Sequence, residues 1–147
     1  MLSKLFKYNI AHFACHRHQA DNLSQSSLLL EDWKSSPFTV SDITSLNLDS
    51  VKFAYLSACH TSAMRDFRLL NESICLSLAI QLSGYPSVVS SLWQVSDRHS
   101  PEIARTVYEW MLKDGKLNCQ RVAERLHKAI RSLRANTSFH SFTDLLA

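Results

Sequence analysis

The sequence predicts an α/β fold with a mainly parallel sheet and helices on both faces, and three patterns support that. The runs "KFAYLSAC" and "SVVSSLW" are apolar without a polar face, as strands buried on both sides of a parallel sheet must be. The stretches that follow them carry apolar residues at helical spacing. Strand and helix then alternate through short connections, which is the arrangement that parallel pairing requires.

Taken in order, "NIAHFAC" places apolar residues on alternate positions, so Ile10 to Cys15 reads as a strand with His16 at its end. "SSLLLEDW" and "PFTV" are two extended pieces around a polar turn at Lys34 to Pro37, a predicted hairpin. "SDITSLNL" opens with a Ser or Asp cap and reads as a short helix. Lys52 to Ser57 is the predicted central strand. "NESICLSLAIQLSGYP" is helical, with Gly84 suited to the left-handed cap and Pro86 preventing continuation. A second buried strand spans Ser87 to Trp93. Two amphipathic helices close the pattern. The first carries Ile103, Val107, Trp110 and Met111, with Ser100 as cap and Pro101 at the first helical position. The second stripes Val122, Leu126, Ile130 and Leu133 against Arg121, Arg125, Lys128 and Arg131.

A chain of 147 residues is expected to form one domain, 1–147, with residues 135–147 as a poorly ordered tail. With 46% hydrophobic and 20% charged residues, it lies far from the composition of disordered chains. The formal charge of +3 is small and scattered, so no nucleic-acid partner is expected. No apolar run reaches the length of a spanning helix, so no membrane association is expected and the cytoplasm is the expected location. Cys15, Cys59, Cys75 and Cys119 are widely spread, which favours free thiols over a disulfide framework.

Reactive groups in such sheets gather at the carboxyl ends of the strands. Two strands here end in chemistry, the first at His16 and the central one at Cys59. Parallel pairing brings those ends to one rim, where an imidazole converts a neutral thiol into a nucleophilic thiolate. His12 shares a face with His16 on the alternating strand and reads as a packed histidine. His18 and His60 read as solvent-facing, and Cys15 as core. Zinc is not expected, because the segment reads extended and no C-x-x-C pair exists. No cofactor is expected either. Asp97 lies at a strand's carboxyl end, lining a substrate cleft or standing beside a helix cap at Ser96.

The blocks "HFACH", "SSLLLEDW", "PFTVSDITSLNL", "FAYLSACHTS" and "ESICLSLAIQLSGYPSVVSSLWQVSDRHS" together resemble the CHAT domain, a caspase-like cysteine peptidase module often found behind tetratricopeptide repeats. The resemblance runs from about Ala11 to Arg134. It implies a caspase-like three-layer sandwich, here truncated at both ends. It also implies a catalytic dyad of His16 and Cys59, with the backbone N–H groups of Arg17 and Cys59 as the oxyanion hole. The implied reaction is hydrolysis of a protein or peptide substrate through a thioester. A tetratricopeptide-repeat region in a longer parent protein is the implied partner. The sequence departs from the family pattern at two positions, with Arg17 and Ser62 standing where glycines are usual. Those departures open a second expectation, a catalytically inactive module that acts in protein–protein interaction.

Overall fold

Four consecutive residues, Phe53, Ala54, Tyr55 and Leu56, are all buried, and they form the central strand of a parallel sheet. Successive strand side chains point to opposite faces, so burial of all four means that both faces of this strand are covered. The computed structural model describes residues 5, 7–18, 20–57, 67–91, 100–112, 119 and 122–136. Two compact units divide the chain, Met1–Trp93 and Gln94–Ala147.

In the first unit, β1 (Ile10–Phe13), β5 (Phe53–Leu56) and β6 (Val88–Ser90) form the parallel sheet in the order β1-β5-β6. Its pairs run from Ile10 opposite Phe53 to Phe13 opposite Leu56, and from Ala54 opposite Val88 to Leu56 opposite Ser90. One face carries Phe13, Ala54 and Leu56 into a core shared with Leu28, Phe38, Ile43, Leu48, Leu76, Ile80 and Tyr85. Tyr55, on the other face, is also buried. The sheet continues beyond its last paired residues, because the Ser57 N–H donates to the Phe13 carbonyl at 3.0 Å.

A second sheet is antiparallel, built from β2 (His16–His18), β3 (Ser27–Leu29) and β4 (Phe38–Thr39) in the order β2-β3-β4. A 3-10 turn at Leu23–Gln25 joins β2 to β3, with the Asn22 side chain accepting from the Ser24 N–H. The β3–β4 hairpin lies where the polar turn predicts it. The break after Phe13 differs from the expected single strand Ile10–Cys15, since His16 opens a new strand instead of ending the first. Its physical cause is pairing: residues 16–18 satisfy backbone groups against Ser27–Leu29, a partner that local alternation cannot reveal.

The short helix α1 (Val40–Thr44) is capped by Thr39, two residues before the predicted Ser41 and three before Asp42. Thr39 Oγ1 accepts from the Asp42 N–H at 3.1 Å, and the Asp42 carboxylate accepts from the Thr39 N–H at 2.9 Å. Two orphan amides are satisfied reciprocally, so Asp42 acts as the third helical residue of a capping box. Helix α2 (Phe67–Leu82) packs on α1 and β6 and starts one turn before the predicted segment. It stops at Gly84, whose φ of +120° only glycine adopts readily, and a Cβ there would run into the Leu48 carbonyl. The Leu48 N–H donates to the Ser83 carbonyl at 3.0 Å, tying this turn to the loop before β5.

The second unit is a helix pair, α3 (Ser100–Met111) and α4 (Val122–Asn136). Ala104, Val107 and Met111 form the buried stripe of α3, and Val122 is buried at the start of α4. The Arg125 guanidinium lies 4.2 Å from the centre of the Trp110 ring, a cation–π contact between the two helices. Arg105–Glu109 and Lys128–Glu124 are exposed pairs one turn apart, each worth a few tenths of a kcal/mol at most.

Candidate functional site

The site grows out of the segment that leaves β1. Ala14 and Cys15 carry the chain from the parallel ladder into β2, and there His16 stands opposite Leu29, Arg17 opposite Leu28 and His18 opposite Ser27. Residues directly opposite in an antiparallel pair share a face, and neighbours along a strand alternate. His16 and His18 therefore share one face of β2, and both are exposed. Arg17 points to the other face, in a row with Leu28 and Phe38. Leu28 is fully buried, and Arg17 is half-buried with its Nε shielded from solvent. The long Arg17 side chain thus runs along the hydrophobic side of the sheet, covering it with its aliphatic stem.

Cys15 and His12 have distinct surroundings. Cys15 packs against the core of the first unit, and burial pushes its thiol up to about 11. It is a neutral thiol at physiological pH and a poor nucleophile. His12 sits on the parallel sheet opposite Tyr55, with the ring centres 4.9 Å apart and tilted. Desolvation there lowers its pKa below the usual histidine value, favouring the neutral imidazole. His12 is exposed at the surface with one side of its ring against Tyr55, on a different sheet from His16.

Of the residues singled out in the sequence, His16, Arg17, His12, His18 and Cys15 are described structurally. Cys59, His60, Ser62, Ser96 and Asp97 lie outside the described residues. What the structure does describe is the β1–β5 ladder, which pairs residues that differ by 43 in number at every one of four positions. Sequence reasoning missed the relation between His16 and His18. An H-x-H spacing is its only local signal, and it has meaning only once β2 is known to be a strand of its own.

Among the described residues, no group of three His, Cys, Asp or Glu is placed to hold a metal ion. No helix among them is long and apolar enough to cross a membrane. A parallel sheet in the order β1-β5-β6, combined with helices, is consistent with a caspase-like α/β module. The family model of the CHAT domain matches residues 1–145, and the chain belongs to that family. Neither a curated protein nor a solved structure matches it.

Proposed function

We propose that this CHAT domain is a cysteine peptidase in which His16 and Cys59 act as a dyad on protein or peptide substrates. One observation carries the reading: the β1–β5 ladder runs at a constant offset of 43, and His16 and Cys59 are separated by the same 43 positions. In this reading the chain segments that leave β1 and β5 bring the two residues together beyond the carboxyl ends of those strands, where α/β folds keep their reactive groups. The orientation of Arg17 supports it further, because its side chain lies on the face away from His16 and leaves that face open.

In the proposed reaction, His16 accepts the Cys59 thiol proton and the thiolate attacks the peptide carbonyl. The oxyanion of the tetrahedral intermediate is stabilised by backbone N–H groups of Arg17 and Cys59. Collapse breaks the C–N bond, and the imidazolium returns its proton to the leaving amine. Water, deprotonated by His16, then attacks the thioester. The acid departs, and the proton goes back to the Cys59 sulfur. Asp97 lines the cleft in this reading. In this reading the module works in the cytoplasm, with a tetratricopeptide-repeat region of a longer parent protein as its partner.

An electrophilic thiol probe tests the dyad. Labelling is expected at Cys59, to vanish in Cys59→Ala, and to slow by at least about tenfold in His16→Ala, since a lone thiol near neutral pH is only a few per cent thiolate. Labelling indifferent to His16, or spread equally over Cys75 and Cys119, would sink the peptidase reading in favour of an inactive module that binds a protein partner.

A further inference from the structure

The side chains of His16 and His18 leave the same face of β2, and both are exposed. Two residues apart on a strand, their Cβ atoms are separated by about 7 Å, two rises of the extended chain. Rings leaning toward each other across that gap can place one nitrogen each on a common ion, at the roughly 2.1 Å that zinc–imidazole bonds require. Arg17, the one fixed cation of the strand, points to the opposite face, so no guanidinium opposes a divalent ion there. Opposite the two rings stand Leu29 and Ser27, neither of which carries a charge. Among the described residues neither imidazole is tied up in a hydrogen bond or ion pair.

We propose that His16 and His18 form an exchangeable site for a divalent transition metal, with zinc the best fit to two imidazoles. The chemistry is that of borderline ligands, which suit zinc, copper and nickel and not magnesium or calcium. No third described His, Cys, Asp or Glu joins the pair, so water completes the coordination shell and the site is open and reversible. The two rings bind only when neutral, so the ion displaces a proton from any ring that is charged. A consequence rests on the peptidase reading: a ring nitrogen of His16 bound to zinc has no lone pair to take the Cys59 proton. Zinc occupancy and catalysis then exclude each other.

The test is calorimetric titration of the full chain with zinc chloride alone, in a Cys59→Ala background so that this thiol makes no contribution. One zinc per chain with micromolar affinity is expected. His16→Ala and His18→Ala should each weaken it by at least about tenfold, a 1.4 kcal/mol step. His12→Ala, on the other sheet, should stay within about twofold of the parent. His18→Gln serves as a second variant that keeps a polar side chain at this exposed position, and it should behave as His18→Ala does. Unchanged affinity in both His18 variants, or equal loss in His12→Ala, overturns the site. Binding is read directly, so its failure leaves the peptidase reading standing. A chain without peptidase activity that still binds zinc through His18 leaves the metal site standing.

Discussion

Arg17 and Leu28 face each other across β2 and β3, on the side of that sheet away from His16. Arg17 is therefore a residue that packs, and glycine at this position removes that packing. Arg17→Gly should lower stability by about 1 kcal/mol, from the flexibility of glycine in a strand and loss of the aliphatic stem. Urea unfolding measures this. Thiol labelling at Cys59 should change by less than about twofold, since 1 kcal/mol of global stability leaves the folded population nearly complete. A large gain in labelling would show instead that the side chain reaches over the site.

The turn after α2 depends on Gly84. Gly84→Ala imposes a φ that L-residues rarely adopt and drives a methyl group into the Leu48 carbonyl. The strain alone costs about 1 to 3 kcal/mol. A fall in the thermal midpoint of several degrees is the expected result, and a midpoint equal to that of the parent would mean the turn relaxes into another form.

Cys15 predicts an alkaline limit. Its folded pKa of about 11 lies above the unfolded value of 9.0, so the folded state holds the proton more tightly. Its contribution to stability is complete below about pH 9 and is lost as pH rises toward about 11. Cys15→Ala should flatten the decline in urea midpoint across that window. The same burial makes Cys15 slow toward electrophiles at neutral pH, which mass spectrometry of labelled peptides can read.

His12 predicts the opposite edge. Burial lowers its pKa below 6.5, so the unfolded chain takes up a proton first on acidification. Stability from this group is present above pH 6.5 and is lost as pH falls through the folded value. An NMR titration should place the His12 midpoint below the ordinary histidine range, and His12→Phe should reduce the acid sensitivity of unfolding while keeping the ring contact with Tyr55.

How far the sequence discloses these features depends on how local each one is. The apolar run from Phe53 to Leu56 announces a strand buried on both faces, and Gly84 with Pro86 announces the end of α2, because each is written in a few adjacent residues. The capping of α1 is displaced from Ser41 or Asp42 to Thr39, since three neighbouring residues all have capping chemistry and only the backbone decides among them. His16 is singled out by its position in the segment, and its strand is misassigned. Whether residues 16–18 prolong β1 or open β2 depends on Ser27–Leu29, and alternation along one strand carries no record of its partner. The same error groups His12 with His16 and hides the pairing of His16 with His18.

The separation of 43 positions between partners in β1 and β5 also sets an order of assembly. Pairs in the antiparallel sheet are much nearer in the chain, Ser27 with Thr39 and His18 with Ser27. Closing the longer loop costs about 1 kcal/mol more in chain entropy, two doublings of loop length. The antiparallel sheet and its hairpin lie wholly inside that loop, so their early closure shortens the span that β1 and β5 must bridge. The parallel sheet is thus completed late, by the most distant strand pairing among the described residues. Substitutions at Leu28 or Phe38 should act mainly on the folding rate and those at Ala54 or Leu56 on the unfolding rate, a division that chevron analysis resolves.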